Sequence, residues 1–369
     1  MHNVRMRRSL LSLILIALPI IARADEVLGP AEYLTIMMDS KLHYNMLSEP
    51  SKTPAPLMTC PRRDERMRVV RQGDGKKLVQ WNVKLESLNL LNEGEEFYQA
   101  EKYDLAAAKF KAAIDTDPEF PSAYLFYGDV FLFGSNNAAA ALAQYQKAIA
   151  LDPTLPAPHF FASTAYTRLG RKAEAREQVI QALTFYPGYE TLWKVAAQSP
   201  QGWGIKPVTR HKFEPPQGYL GAKTKNGIDI YGGKNAEWLG YAICKAVWAN
   251  EKQFEKRHSK DGWSTDEEHA CVFNQLMSAY NAAESKLIEQ AKARGVKSPE
   301  IEMKDVVAAL PPLEAHMYQA ATEHLLDGYI MFEIVGQNCP LAMGMMTDEV
   351  QKQVDAYIRR FIIVAADQN

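Results

Sequence analysis

The sequence repeats itself with a period of 34 or 35 residues, and this repeat constrains the fold more than any other feature. The phrase AIDTDPEFPSAYLFYGD at 113–129 returns as AIALDPTLPAPHFFAST at 148–164. Small residues, bulky apolar residues and prolines recur together at equivalent positions: Ala106, Ala141 and Ala175; Phe110, Tyr145 and Val179; Ala113, Ala148 and Ala182; and Pro118, Pro153 and Pro187. A period of this length indicates stacked units that share one continuous core.

Each recurring residue has a physical reason to occupy its place in a pair of helices. Gly94 and Gly128 let the two helices approach closely, because a side chain there would push the backbones apart. The recurring alanines have the same use, while the bulky residue fills the gap between helices. Each proline ends its unit, because it cannot continue a helix and disfavours helical angles in the residue before it. The pattern therefore predicts three helical hairpins over 87–189.

The combination of these positions resembles the tetratricopeptide repeat, whose first helix carries a Leu-Gly pair and a Tyr and whose second carries Ala, Phe, Ala and a closing Pro. The resemblance implies a solenoid in which the first helix of each hairpin lines a concave groove for a peptide or partner protein. By repeat position, the groove would contain Leu91 and Glu95 together with seven predicted partner-binding residues: Tyr98, Leu125, Asp129, Phe133, Phe160, Thr164 and Arg168. It lacks the Lys and Asn array that clamps a C-terminal carboxylate in chaperone-binding members of the family. The alternative is that flanking segments cover several of these residues.

Three positions depart from the pattern of the family. The stretch FGSNN in the second unit carries one extra residue, which we expect to lengthen the turn between its two helices. The third unit has Ser163 where the pattern has Gly, and His159 where it has an aromatic residue.

The first 24 residues read as a signal peptide. A basic leader, MHNVRMRR, precedes the apolar run SLLSLILIALPII, and Ala22-Arg23-Ala24 supplies a small-x-small cleavage pattern. The run is shorter than the roughly 20 residues that span a bilayer, although an uncleaved anchor is the alternative. We therefore expect export to the periplasm or beyond, with cleavage after Ala24 and no membrane span in the mature chain.

The charge of the mature chain argues against nucleic acid as a partner. The whole chain has 42 Lys and Arg against 44 Asp and Glu, and the leader removes four Arg and no acid, so the mature chain has 38 basic residues and a net charge of −6. Binding to nucleic acid depends on concentrated Lys and Arg that face phosphates.

Four cysteines remain after cleavage, and an even number in an exported protein predicts two disulfides. Cys244 and Cys271 lie on two predicted helices whose connecting loop is nearly midway between them, so an antiparallel hairpin would pair them. Cys60 would then pair with Cys339. Sequence alone permits three pairings, and buried free thiols are the alternative.

The segments that flank the repeats follow other patterns. In the N-terminal segment, 25–86, a short helix and a Pro-rich loop precede MRVVRQGDGKKLVQWNV, which reads as a β-hairpin around Asp74-Gly75 or, alternatively, as a helix. The stretch 190–234 is rich in Gly, Pro and aromatic residues, which indicates an ordered connector with a second hairpin at Asn226-Gly227.

The remainder, 235–369, reads as a C-terminal helical domain of no family that we recognise. We predict helices over 235–256; from a Ser264–Glu267 capping box to Arg294, with Gly295 as the stop; from Ser298-Pro299 to Pro311-Pro312; over 313–335; and from Thr347 to the C-terminus. Such helices could cap the last repeat, whose apolar face is otherwise exposed.

The chain offers little catalytic or metal-binding chemistry. It contains no Gly-x-Ser-x-Gly, phosphate-loop, Cys-x-x-Cys or His-Glu-x-x-His motif. His316, His324 and the methionines that follow Cys339 could in principle hold a metal, but a Met cluster more often fills core gaps. We therefore predict no metal site, no cofactor and no enzymatic activity.

The sequence thus predicts an exported all-α protein that serves as a scaffold or adaptor for another protein. The alternative is an enzyme or metal-handling protein whose site lies in the C-terminal helices and uses His316, His324 or His269. A third class is a self-assembling envelope component.

Overall fold

The computed structural model describes residues 28–50, 60, 67–73, 75–215, 227–257 and 264–367. The predicted signal peptide, most of the Pro-rich loop, and Asp74 and Asn226 of the predicted hairpin turns lie outside these residues. The described chain forms two compact units. We call the described residues within 60–210 and 331–367 the repeat unit, and those within 28–50 and 211–330 the helical unit.

Helices make up most of both units, and no helix in the described part of the chain has the length and apolarity needed to cross a membrane. The α-helices are α1 (Pro30–Asp39), α2 (Leu85–Gln99), α3 (Tyr103–Thr116), α4 (Pro121–Asp129), α5 (Ala138–Leu151), α6 (Pro156–Arg168), α7 (Lys172–Phe185), α8 (Glu190–Gln198), α9 (Pro200–Trp203), α10 (Leu239–Asn250), α11 (Thr265–Ala293), α12 (Met303–Ala308), α13 (Pro312–Thr322), α14 (Leu326–Tyr329), α15 (Gly336–Asn338), α16 (Pro340–Gly344) and α17 (Asp348–Tyr357). The strands are β1 (Tyr44–Met46), β2 (Met67–Gln72), β3 (Gly75–Gln80) and β4 (Ile228–Ile230).

The three predicted helical hairpins are present as α2–α3, α4–α5 and α6–α7. Their close approach depends on glycine, because a Cβ on Gly128 would lie 2.5 Å from Cε1 of Tyr145, and Gly94 faces Phe110 in the same way. In the third hairpin the residue equivalent to these two rings is Val179, which is smaller. Ser163 can therefore replace the glycine, and its buried hydroxyl donates to the carbonyl of its own helix.

His159 occupies its position as a buried ring, in place of the aromatic residue of the family pattern. It stacks on Phe185 with ring centroids 6.2 Å apart, and its nitrogens hydrogen-bond Gln178 and the carbonyl of Pro153. Burial lowers the pKa of its imidazole. His159 therefore packs as the aromatic residue of the family pattern would, and both of its ring nitrogens have hydrogen-bond partners.

The extra residue in the second hairpin is not placed where the sequence predicts. We expected a longer turn, but α4 instead continues into a π-helical segment, Val130–Gly134. The backbone N–H of Ser135 donates to the carbonyl of Val130, five residues earlier. A π-turn takes one more residue than an α-turn, so the insertion is absorbed inside the helix.

The N-terminal hairpin is confirmed, and the helix that competed with it is wrong. Strands β2 and β3 pair antiparallel with Met67 opposite Gln80 and Gln72 opposite Gly75. The first repeat helix begins only at Leu85. The local signals of a turn flanked by apolar residues were therefore sufficient here.

The first strand of the second predicted hairpin, before Gly227, lies outside the described residues. Strand β4, which follows Gly227, pairs in parallel with β1, with Tyr44 opposite Ile228. The backbone of Gly227 has a φ of +130° and lies against the carbonyl of His43, where a side chain would not fit. Its partner strand is more than 180 residues away in the chain, so no local pattern could indicate it.

The helices after residue 235 partly match the prediction. Helix α10 is shorter than the predicted 235–256, and a 3₁₀ turn follows it at Lys252–Phe254. Helix α11 has the predicted cap, since the Ser264 hydroxyl accepts from the backbone N–H of Glu267 at 3.2 Å. Gly295 follows its end with a φ of +91°, as the stop signal predicts.

Two helix boundaries in this region are wrong. The helix predicted from Ser298-Pro299 begins only at Met303, and the proline at a first helical position is instead Pro312 of α13. The helix predicted over 313–335 breaks at His324, which has a φ of +60°. Helix α14 then continues as the π segment Ile330–Val335. Similarly, α17 continues as the π segment Ile358–Ile362 and ends before the C-terminus.

Both predicted disulfides are present. Cys244 on α10 and Cys271 on α11 join with their Cα atoms 5.2 Å apart, and Cys60 joins Cys339 with Cα atoms 5.1 Å apart. The first links the two helices of a hairpin in the helical unit. The second joins two residues of the repeat unit that are 279 positions apart in the sequence.

The last repeat helix is covered by the C-terminal segment of the repeat unit. Helices α16 and α17 and the final π segment pack against α7. The guanidinium of Arg359 donates two hydrogen bonds to the carboxylate of Glu177 on α7, at 2.8 and 2.6 Å. Ile180 and Leu183 of α7 are fully buried. Packing of a further segment on the last repeat helix is how a solenoid end is protected from solvent.

Candidate partner-binding face

The first helices of the three hairpins, α2, α4 and α6, carry the predicted partner-binding residues. We call these seven residues the first-helix face: Tyr98, Leu125, Asp129, Phe133, Phe160, Thr164 and Arg168. They differ in exposure. Phe133 is 42% exposed and Arg168 is exposed, Tyr98, Leu125 and Thr164 are half-buried, and Phe160 and Asp129 are buried. Of the two further groove positions, Leu91 lies in the core of the first hairpin and Glu95 is half-buried.

Asp129, the last residue of α4, is the charged group at the centre of this face. Its side chain is only 6% exposed, and its Oδ1 accepts a hydrogen bond of 2.7 Å from the hydroxyl of Tyr145 on α5. Burial raises the pKa of the carboxyl to about 7, and the hydrogen bond from Tyr145 offsets only part of that rise. The carboxyl therefore changes charge near neutral pH.

The charge of Asp129 also acts on two further tyrosines. Tyr98 on α2 and Tyr189, which directly precedes α8, each have a pKa raised to about 12, first by burial and then by the charge of Asp129. Both phenol groups therefore lie within electrostatic range of one carboxyl. The partner-binding role of Tyr98 and Asp129 stays a prediction.

A chain of aromatic contacts continues from α4 to the end of the third repeat. Phe133 meets Phe161 edge-on at 6.0 Å, Phe161 meets Phe160 at 5.2 Å, and Phe160 meets Tyr189 at 5.2 Å. Tyr189 stacks on Tyr186 with centroids 5.7 Å apart. Much of the face is therefore a wall of rings whose positions are fixed by their contacts with each other.

Arg168 lies at one edge of the face, and the fold already engages its guanidinium. It donates to the carbonyl of Leu132 and to Oδ1 of Asn136, and it lies 5.2 Å above the ring of Phe133. A cleft of about 550 Å³ opens beside it, between the start of α5 and the end of α6. Arg168 therefore orients Phe133 and the π segment as well as presenting a charge.

Residues 91–156 match the family model of the tetratricopeptide repeat. The matched residues cover most of the first two hairpins, α2–α3 and α4–α5. Among solved structures, the chain is similar to the first tetratricopeptide repeat domain of Spaghetti (RPAP3) bound to the HSP90 peptide SRMEEVD, with 22% identity, coverage of 31% of this chain and 94% of that one, and a TM-score of 0.29. No curated protein matches the sequence.

Sequence reasoning missed two residues that belong with the first-helix face. Tyr186 and Tyr189 flank Pro187, at the point where a fourth tetratricopeptide repeat would begin. Because the repeat pattern ends at Pro187, it could not place these two tyrosines on the first-helix face. The signal that could have found them is the recurrence of aromatic residues after the closing proline of a unit.

The histidines of the alternative site lie in the helical unit and have different partners. His316 is buried and stacks on His211 with centroids 3.6 Å apart; burial, followed by the charge of His211, lowers its pKa to about 4. His269 hydrogen-bonds the Thr265 carbonyl and the Asp327 carboxylate. His324 is exposed at the break before α14. No group of three or more His, Cys, Asp or Glu in the described chain could hold a metal ion.

The helical unit also contains a buried ionic cluster beside its disulfide. Lys245 on α10 pairs with Glu267 and Glu268 on α11, all three being nearly inaccessible to solvent. Glu268 also accepts a hydrogen bond of 2.8 Å from the hydroxyl of Tyr241. Burial alone would lower the pKa of Lys245, but the two carboxylates outweigh it and raise the pKa. The cluster ties α10 to α11 next to Cys244–Cys271.

Proposed function

We propose that this protein is an exported adaptor that binds a segment of another protein across the first-helix face. The observation that carries the proposal is an exposed phenylalanine, Phe133, held in a fixed orientation by Arg168 and by an edge contact with Phe161. An aromatic side chain that is already ordered loses little freedom on binding, so it can act as an anchor at low entropic cost.

The arrangement of helices supports binding rather than chemistry as the activity. Tyr98, Leu125, Phe160 and Thr164 are placed by the repeat packing, and Asp129 and Arg168 supply opposite charges at two points of the same face. Such a face can recognise an extended or helical segment with an apolar anchor and oriented polar groups. We accordingly propose a non-catalytic role for the repeats.

Export is the second part of the proposal. It depends on the leader at 1–24, with cleavage after Ala24, and on two disulfides that suit an oxidising compartment such as the periplasm of a Gram-negative-type envelope. The location is testable by fractionation: the mature protein should begin at Asp25 and carry no free thiol.

The binding proposal is testable by crosslinking in intact envelopes. The informative variant is Tyr98→Ala combined with Phe133→Ala, because both side chains reach solvent, whereas Phe160 is buried and its loss would disturb the packing. Leu105→Ala is the matched control, because Leu105 is an apolar side chain, 50% exposed, on the second helix of the first repeat.

The proposal predicts that wild type and Leu105→Ala capture the same partner and that the double variant loses it. Each variant is first compared with wild type by far-UV circular dichroism and urea unfolding. If the folded double variant captures the same set of proteins as wild type, the first-helix face is not the binding surface. The next variants would then be made in the helical unit, at His211 and His316.

A further inference from the structure

The cleft beside Arg168 has a volume of about 550 Å³, which lies within the range of sites that hold small ligands. It is lined by Asn136, Asn137, Ala138, Ala139, Arg168 and Leu169. Leu169 is 40% exposed, and Phe133, whose ring lies under the guanidinium of Arg168, is 42% exposed. The cleft therefore combines open apolar surface with one formal charge, that of Arg168.

Arg168 uses only one nitrogen of its guanidinium for hydrogen bonds inside the fold. Its Nη1 donates to the carbonyl of Leu132 and to Oδ1 of Asn136. Within the described part of the chain, its Nε and Nη2 donate to no acceptor, and no carboxylate forms an ion pair with it. Nε and Nη2 lie on the same edge of the planar group, and their N–H bonds are nearly parallel, so this edge can hold a carboxylate through two hydrogen bonds. Arg168 is therefore fixed in place and still presents an unused fork.

The two asparagines that line the cleft have the same polarity as Arg168. Oδ1 of Asn136 accepts from Arg168 at 3.0 Å, and Oδ1 of Asn137 accepts from the backbone N–H of Ala140 at 3.0 Å. Because both partners are donors, they fix which end of each amide is the oxygen. The amide NH₂ groups of both residues have no hydrogen-bond partner among the described residues. The unused polar groups of the cleft are therefore donors, and with the charge of Arg168 they favour an anion.

We propose that the cleft receives a glutamate or aspartate side chain of the segment that binds the first-helix face, with the carboxylate on the Nε and Nη2 edge of Arg168. This inference rests on the proposed function and names the chemistry by which the partner is recognised. The charge of the guanidinium selects the acid, and the exposed ring of Phe133 beside it contacts a neighbouring apolar residue of the partner. The recognised segment thus pairs an acidic residue with an apolar one.

A side chain fits this cleft better than the C-terminal carboxylate of a peptide. The first-helix face lacks the Lys and Asn array that clamps such a terminus in chaperone-binding repeats, and the cleft supplies a single cation. The cleft also lies at one edge of the face, while Tyr98 and Leu125 lie further along it on α2 and α4. A segment that continues across the face can therefore turn one acidic side chain into the cleft without ending there.

The test measures retention of heptapeptide libraries on the immobilised mature protein at neutral pH and low ionic strength. Four capped libraries carry a central Glu, Asp, Gln or Lys among uncharged residues, and a fifth is the Gln library with a free C-terminal carboxylate. One variant is Arg168→Gln. Because Arg168 also contacts Leu132 and Phe133, a second pair of variants leaves it in place: Ala139→Glu and its uncharged control, Ala139→Gln. Ala139 is exposed and lines the cleft, so a carboxylate attached there competes with the ligand for Arg168.

We expect wild type and Ala139→Gln to retain the Glu and Asp libraries about fivefold more than the capped Gln library, which is the upper end for an exposed ion pair. The preference should disappear in Arg168→Gln and in Ala139→Glu, and the Lys library should be retained least. If wild type retains the Glu and Gln libraries equally, or retains neither, the carboxylate site is overturned, and a preference that survives in Ala139→Glu overturns it too. A preference for the free C-terminus as large as that for Glu would overturn the assignment to a side chain.

The outcomes also separate this inference from the proposed function. If wild type retains every library equally and the Tyr98→Ala, Phe133→Ala double variant loses them all, the face binds peptides but has no carboxylate site. If no library is retained and the double variant still captures the partners of wild type from envelopes, both the proposed function and the carboxylate site are wrong.

Discussion

Replacing Asp129 by Asn should stabilise the folded protein at high pH and leave its stability nearly unchanged at low pH. The carboxyl is only 6% exposed, and its pKa rises from 3.8 to about 7 because burial penalises its charged form. Asparagine has the same shape and keeps an acceptor for the Tyr145 hydroxyl, but it has no charge to bury. The difference between the two proteins therefore reports the cost of the carboxylate.

The sign and size of this effect follow from the pKa. Between about pH 4 and pH 7 the folded protein holds a proton that the unfolded chain has released, so the stability of wild type falls relative to the variant as the pH rises. Since each pKa unit corresponds to about 1.4 kcal/mol, the variant should be more stable by on the order of 4 kcal/mol at pH 8. At pH 4 both side chains are largely neutral and the difference should be close to zero.

The assay is urea unfolding of both proteins at pH values from 4 to 8, followed by circular dichroism and by the fluorescence of tryptophans. Comparing variant with wild type at each pH removes the contributions of all other titrating groups. Asp115→Asn is the control, since Asp115 is exposed and pairs with Lys111 one helical turn away; it should show a small change without this pH profile. A stability difference for Asp129→Asn that stays constant across the range would falsify the reasoning.

Three other substitutions test the packing and the ionic clusters. Gly128→Ala should destabilise the protein by about 1–3 kcal/mol, because its Cβ would meet the ring of Tyr145; an unchanged urea midpoint would contradict this. Lys245→Met should cost about 3–5 kcal/mol, because it leaves two carboxylates buried without their cation, and a loss below about 1 kcal/mol would contradict this. Burial alone would lower the pKa of His269, but the bonds to Asp327 raise it, so the pair stabilises the fold below about pH 6.5 and the effect fades as the pH rises through the folded-state pKa. Asp327→Asn should therefore destabilise more at pH 5.5 than at pH 9 in the same assay, and an equal loss at both would refute the ion pair.

The repeats and the disulfides could be predicted because their signals are local or periodic. A glycine opposite a ring recurs every 34 or 35 residues, and steric exclusion makes the same demand in each hairpin. The pairing of Cys244 with Cys271 follows from two helices and a central loop, and the Cys60–Cys339 bond then remains by elimination. The hairpin of β2 and β3 likewise depends on neighbouring residues only.

Other elements could not be predicted because the competing arrangements have similar local patterns. An inserted residue can lengthen the loop between two helices or widen one turn within a helix. Here it widens the helix, as the π-helical segment Val130–Gly134 shows. Strand β4 had a turn signal in front of it, but its partner, β1, is far away in the chain. Pro299 predicted a helix start, but the helix there begins only at Met303. The proline at a first helical position is Pro312.

The candidate site shows the same division. The sequence by itself determined that the chain contains helical hairpins, which residues their first helices carry, and that Asp129 is the acid among aromatic neighbours. Only the tertiary structure decided that this acid is buried, that Tyr145 satisfies one of its oxygens, and that its charge raises the pKa values of Tyr98 and Tyr189. The reason is physical: a helical period places side chains on a face, whereas the desolvation that shifts the pKa of a carboxyl depends on groups that separate helices bring around it.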